Sequence, residues 1–208
     1  MRRLYVAVYA LCLILFGLLC YWVSQYQRLP GDTAVYDWFA GIDLPFAKSL
    51  MRFISFFGET IPAVVTVALV VAVLFFYRRR LEAFFVGAMP GLALLLVWLV
   101  KTLLDRLRPN GDGLSFPSGH VTYAIVFAGL LLYLLPELVE NKKLVRTLRV
   151  VMLLFIVAMV ISRLYLGEHW LSDVLGGVLL GGLFLAPTMV LYENCREAKC
   201  LSCLKSKP

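Results

Sequence analysis

Six long apolar runs constrain this chain more than any other feature. The first, Leu4–Val23, is twenty consecutive uncharged residues, about the length needed to cross the hydrocarbon core of a bilayer as a helix. Inside a bilayer no water satisfies backbone N–H and C=O groups, so such a run must bond internally as a helix. Further runs follow at Ile61–Tyr77, Leu81–Val100, Ser118–Leu135, Val150–Ser162 and Val174–Tyr192. The fifth is short between Arg149 and Arg163, but Arg146 and Arg149 can snorkel and lengthen it. The expected fold is all-α: a polytopic membrane protein, a six-transmembrane-helix bundle.

Composition agrees. Hydrophobic residues make up 62% and charged residues 16%, against roughly 45–50% and about 25% in soluble domains. At 208 residues the length fits a single integral membrane domain over 1–208, with a Cys/Lys tail at 194–208. Met-Arg-Arg and an apolar stretch can open a signal peptide, but no small-residue cleavage site follows, so an uncleaved anchor is expected. The five cysteines form no disulfide scaffold: Cys12 and Cys20 lie in the first run, and Cys195, Cys200 and Cys203 in the tail. Three tail cysteines without a fourth ligand make a poor metal site, and reduced thiols beside anionic headgroups fit the nearby lysines better.

The net charge of +7 does not point to nucleic acid, because the cations sit in short clusters between apolar runs. Placing the amino terminus inside puts Arg2, Arg3, Arg78, Arg79, Arg80, Lys142, Lys143, Arg146, Arg149, Arg196, Lys199, Lys205 and Lys207 in the cytoplasm, 13 of 20. Arg28, Lys48, Arg52, Lys101, Arg106, Arg108 and Arg163 are left outside. This bias expects both termini to be cytoplasmic. Residues 32–59 mix Trp38, Phe39, Phe46, Phe53, Phe56 and Phe57 with Asp37, Asp43, Lys48 and Arg52. One or two short interfacial helices are expected there, either bracketing a lipid entrance or covering the bundle. Pro90-Gly91 marks a kink or close contact in the third run. Gly176, Gly177, Gly181 and Gly182 have the small-xxx-small spacing of packed membrane helices.

Three polar islands lie at the outer ends of the last four runs. Lys101 and Arg108 are two helical turns apart, with Asp105 near the same face and Pro109 expected to stop the helix after Arg108. Two aligned cations suit an anion with several oxygens. Pro117-Ser118-Gly119-His120 reads as a helix amino terminus, whose N–H groups, serine hydroxyl and dipole attract anions. In Ser162-Arg163-Leu-Tyr-Leu-Gly-Glu168-His169-Trp-Leu-Ser-Asp173, His169 and Asp173 are four apart, placing them on one face if helical. A carboxylate on one imidazole nitrogen orients the lone pair of the other, which makes a nucleophile or base. Glu168 is expected to be a solvated or interfacial carboxylate, and Tyr165 and Trp170 interfacial belt residues. Each island alone has a plain structural explanation as snorkelling charge or helix cap. The only two histidines of the chain, however, fall in these islands and on one side of the membrane. Cations, a helix amino terminus, two histidines and a carboxylate together suit a phosphoryl transfer that uses no metal and no cofactor.

The same residues carry a family resemblance. Lys101-x6-Arg108-Pro109, Pro117-Ser118-Gly119-His120 and Ser162-Arg163-x5-His169-x3-Asp173 resemble the three-part signature of the type-2 phosphatidic acid phosphatase superfamily, in its membrane lipid phosphatase branch. The resemblance implies His169 as the nucleophile of a phosphohistidine, Asp173 holding its ring, and His120 protonating the leaving oxygen and then activating water. Lys101, Arg108, Ser118, Gly119 and Arg163 would cradle the phosphoryl group. It also implies a site on the outer or periplasmic face of a bacterial-type cell membrane, which agrees with the charge bias. Lipid phosphates or pyrophosphates and membrane lipids are the expected partners, and no nucleic acid is expected. Undecaprenyl pyrophosphate is the first choice of substrate, because an outward site suits recycling of a carrier lipid. Phosphatidylglycerophosphate, phosphatidate and lipid A 1-phosphate are the alternatives. An anion transporter or channel would explain the cations but not the His169–Asp173 spacing.

Overall fold

The computed structural model describes residues 2–205, with side chains described for residues 3–198. Eight helices follow in order: α1 (Arg2–Gln25), α2 (Asp32–Ala40), α3 (Pro45–Phe56), α4 (Thr60–Phe76), α5 (Arg80–Leu104), α6 (Gly119–Leu138), α7 (Lys142–Tyr165) and α8 (Leu171–Lys205). Five of them are long and apolar enough to cross a membrane, and α3 with α4, bent by 57° at their junction, makes a sixth candidate. The fold is an all-α polytopic bundle, as the apolar runs require.

Most element ends follow local chemistry. Pro45 opens α3, where its fixed φ and missing N–H do no harm. The Asn141 side chain caps α7 by accepting the N–H groups of Lys143 and Leu144. Consequently α7 begins eight residues before the expected Val150 and takes Lys142, Lys143, Arg146 and Arg149 into its first two turns. Residues 32–59 form two short helices, α2 and α3, both packed on α7. α8 has 35 residues, about 50 Å of helix, so it outruns a hydrocarbon core of about 30 Å. Cys12, Cys20 and Cys195 are free thiols. The side chains of Cys200 and Cys203 lie outside the described residues.

The bundle is built around α6, which packs against α5, α7 and α8 and is the most buried of the spanning helices. Val121, Ala124, Val126, Ala128, Leu130 and Leu134 are fully enclosed. α1 and α4 lie outside and turn Leu, Val and Phe side chains outward, as a helix facing lipid must. The α8 glycines permit the central contact. A Cβ on Gly177 would stand 2.8 Å from the carbonyl oxygen of Ser118, and one on Gly181 would stand 3.0 Å from Ile125. Gly182 faces open space. The small residues therefore set how closely α8 approaches the amino terminus of α6, where Ser118 and His120 lie.

Gly177→Ala should accordingly lower thermal stability in detergent by about 1–3 kcal/mol through overpacking, while Gly182→Ala should not. Equal tolerance of both substitutions would show that close approach at Gly177 is not required.

Candidate active site

The site forms at the end of the bundle where α5 and α7 finish and α6 and α8 begin. α5 stops at Leu104, and Asp105 caps it in the left-handed conformation at φ 47°. Lys101 and Arg108 therefore do not share a helix face, contrary to the expectation from their spacing, and the Asp105 side chain forms no hydrogen bond or ion pair with the site among the described residues. A folded loop joins the two cations instead. Ser115 N–H donates to the Arg106 carbonyl at 2.7 Å, and Arg108 N–H donates to Gly113 at 3.1 Å. Lys101 Nζ donates to the carbonyls of Leu114 and Ser115, both at 2.8 Å, and Arg108 Nε donates to Leu114 at 3.3 Å.

Ser118 caps α6, and its N–H donates to the carbonyl of Asp173 at 3.0 Å, which locks the starts of α6 and α8 together. Its hydroxyl is buried without a hydrogen-bond partner, as is Nε of Arg163. The terminal nitrogens of Arg163, by contrast, are engaged: Nη1 bonds Ser55 Oγ, and Nη2 lies 3.4 Å from Glu168. Buried polar groups are rarely left unpaired, so the two orphan donors mark a place for an oxygen-rich ligand. His120 lies on the first turn of α6 with Nε2 3.3 Å from Glu59 Oε1. Its ring rests against Gly58, where any Cβ would collide with it. His120 is within electrostatic reach of Arg163, His169, Arg108 and Lys101.

His169 precedes α8 rather than lying on it, so helical spacing does not produce its pairing with Asp173. Asp173 occupies the first turn of α8, where its Oδ2 accepts the Trp170 N–H at 2.8 Å while Asp173 N–H returns to the Trp170 carbonyl at 3.1 Å. That cap points Oδ2 at His169 Nδ1, 3.4 Å away, close to hydrogen-bonding distance but not yet a formed bond. Burial holds the His169 imidazole well below its ordinary pKa, and the nearby cations, Arg163 first, push in the same direction. The ring is neutral and keeps a lone pair, as a nucleophile needs.

Behind Asp173 lies a group with no local sequence signal. The Arg106 side chain is wholly buried. Its Nη1 donates to Asp173 Oδ1 and Ser172 Oγ, each at 2.7 Å, Nη2 to Asp32 Oδ2 at 2.6 Å, and Nε to the Gln27 carbonyl at 3.0 Å. Asp32 also accepts from Leu29 N–H and from the N–H and hydroxyl of Ser172. Glu168 is partly exposed and accepts from Arg108 Nη1 at 2.9 Å. Trp170 is buried, not an interfacial belt residue; it lies beneath the Arg28 guanidinium and donates from its indole to the Leu107 carbonyl. The Tyr165 hydroxyl donates to Ile42.

A groove of about 700 Å³ leads away from this polar end. Glu59, Lys101, Arg108, Gly119 and His120 line its head, and apolar faces of α4 and α5, from Ala63 to Val71 and from Trp98 back to Gly87, line the rest. Gly87 and Lys101 are fourteen positions apart on α5, so the groove runs about 20 Å along the helix.

Comparison with known proteins agrees with this architecture. The PAP2 superfamily model matches residues 105–197. Phosphatidylglycerophosphatase B of Bacillus subtilis (strain 168) is 32% identical over 147 residues, covering 66% of this chain and 71% of the relative. Decaprenylphosphoryl-5-phosphoribose phosphatase of Mycobacterium tuberculosis (strain H37Rv) is 32% identical over 150 residues, covering 67% of this chain and 77% of that protein. Among solved structures, the transmembrane PAP2-type phosphatidylglycerolphosphate phosphatase from Bacillus subtilis superposes with a TM-score of 0.79 at 24% identity, covering 89% of this chain and 96% of that one. Aquifex aeolicus LpxE gives a TM-score of 0.59 at 18% identity, covering 78% and 97%. Both structures share the fold.

Arg106→Ala would leave Asp32 and Asp173 buried without their shared cation. It should cost about 3–5 kcal/mol of stability, read as a large drop in the thermal midpoint in detergent. An unchanged midpoint would contradict the clamp.

Proposed function

The chain belongs to the PAP2 superfamily, and on that premise we propose that this membrane lipid phosphatase works through a phosphohistidine on His169. The observation that carries the reading is the pair of partnerless buried donors, Ser118 Oγ and Arg163 Nε, with Arg163 and His169 within electrostatic reach of His120, which lines the head of an apolar groove. A phosphoryl group seated there would take hydrogen bonds from Ser118, the Gly119 N–H, Arg163, Lys101 and Arg108, which neutralise its oxygens as charge shifts in the transition state. His169 Nε2 attacks phosphorus while Nδ1–H turns its charge toward Asp173. The P–O bond to the lipid breaks, and His120 gives its proton to the leaving oxygen. In the second half, His120 takes a proton from water, the hydroxide attacks phosphorus, and the N–P bond breaks to release phosphate and restore His169.

The groove suits the lipid chain, since its walls are apolar from the head site toward the middle of α4 and α5. A substrate entering from the bilayer would keep its chain there and lift only its phosphate into the polar end. The cation bias supports a site on the outer face with both termini in the cytoplasm. We take the whole chain, 1–208, as one phosphatase domain. The substrate is a lipid phosphate or pyrophosphate. On location alone, an outward site suits undecaprenyl pyrophosphate. The names of the two relatives, a phosphatidylglycerophosphatase and a decaprenylphosphoryl-5-phosphoribose phosphatase, support a phosphorylated lipid more generally.

Phosphate release by detergent-purified protein from undecaprenyl pyrophosphate, phosphatidylglycerophosphate and phosphatidate tests the reading. Release should vanish in His169→Ala, and release that persists there would remove His169 as nucleophile. Asp173→Asn should lower kcat by about tenfold to a hundredfold; an unchanged kcat would take Asp173 out of the mechanism. A chelator should leave turnover intact, whereas loss restored by a divalent ion would contradict a metal-free transfer.

A further inference from the structure

The cradle carries carboxylates of its own. Glu168 immediately precedes His169, and its Oε2 bonds Arg108 Nη1 at 2.9 Å and lies 3.4 Å from Arg163 Nη2. Those are two of the three cations proposed above to hold the phosphoryl group. The third, Lys101, is held by two backbone carbonyls. The remaining cation of the cluster, Arg106, is already shared between Asp32 and Asp173 and faces away into the protein. On the far side Glu59 stands 3.3 Å from His120, at the mouth of the groove and more than half exposed.

The charge count follows directly. With Glu59 beside His120 the total around the head is one positive charge; within the cradle itself Lys101, Arg108 and Arg163 contribute three positive charges and Glu168 one negative, leaving two. A phosphate monoester dianion matches that number. A lipid diphosphate carries more negative charge, and its geometry makes the mismatch worse. With its terminal phosphoryl group beside His169, the second phosphate is the leaving group and lies on the His120 side. There it meets the carboxylate of Glu59, while the cations lining the head of the groove, Lys101 and Arg108, already belong to the cradle of the first phosphoryl group. A monoester has only a neutral alcohol to release on that side. That leaving group needs the proton that His120 delivers, and Glu59 Oε1 stands 3.3 Å from His120 Nε2. A diphosphate releases an already stable phosphate anion and gains little from that proton.

Resting on the phosphatase reading above, we propose that Glu168 and Glu59 make this enzyme select lipid phosphomonoesters over lipid diphosphates. Electrostatic repulsion against the wrong substrate is a recognised route to specificity. Both side chains are partly exposed, so their amides should fold normally.

The test uses full-length protein in detergent with two pairs of lipids matched in chain. One pair is phosphatidate with the corresponding diacylglycerol diphosphate, the other farnesyl phosphate with farnesyl diphosphate. Parent protein should show higher kcat/KM on the monophosphate of each pair. Glu168→Gln and Glu59→Gln should each raise the diphosphate-to-monophosphate ratio by about tenfold, the order expected for one charge at close range. A parent that prefers the diphosphate, or a ratio unmoved by both variants, would overturn the proposal while leaving the phosphatase reading intact. An equal rise on both substrates in Glu168→Gln would also overturn it, because Glu168 would then be a displaceable occupant of the cradle. No His169-dependent release from any of the four lipids would defeat the phosphatase reading itself.

Discussion

The buried guanidinium of Arg106 is the contact on which the rest of the outer end depends. It is bonded at 2.6–2.7 Å to Asp32 and Asp173, and these come from the first turns of α2 and α8. Taking one arginine and two carboxylates out of water is costly, and their mutual attraction compensates only if the remaining lone pairs are also satisfied. Here they are. Leu29 N–H and Ser172 N–H and hydroxyl serve Asp32, and Trp170 N–H and Ser115 hydroxyl serve Asp173. Three distant stretches of chain therefore close around one cation. That closure sets the carboxylate whose other oxygen faces His169.

The membrane imposes the second constraint. Helices that cross it must pack through small residues and close contact, since lipid gives no hydrophobic drive for helix association. Gly177 meets that need where α8 passes Ser118, so the same contact that joins α6 to α8 sets the helix amino terminus of the site. The outer helices then leave a groove between α4, α5 and α6. A polar end built from helix termini and loops, opening into an apolar trough, suits a molecule that is itself half phosphate and half hydrocarbon.

Much of this was legible in the amino-acid order, for reasons that differ from element to element. The spanning helices were readable because the bilayer demands length and apolarity, both local properties. The start of α7 was not, because Lys142, Lys143, Arg146 and Arg149 mask its apolar side. The cluster of Lys101 with Arg108 was anticipated on a helical argument that fails, since α5 ends at Leu104 and a loop brings Arg108 back. The approach of His169 to Asp173 likewise comes from a cap and not from a helix face. Arg106 and Asp32 carried no signal, because their contact spans 74 positions and neither neighbourhood hints at the other. Glu168 was read as a solvated or interfacial carboxylate, and its pairing with Arg108 across 60 positions left no local trace.

The central claim is that His169, held neutral by burial and faced by Asp173, becomes covalently phosphorylated. It is tested most directly by quenching the enzyme in alkali during turnover of a lipid labelled in its phosphate, then locating the label by peptide mapping. Acid-labile, alkali-stable label on His169, absent from His169→Ala, is the predicted result. Turnover without label on any histidine, or label on His120, would contradict it.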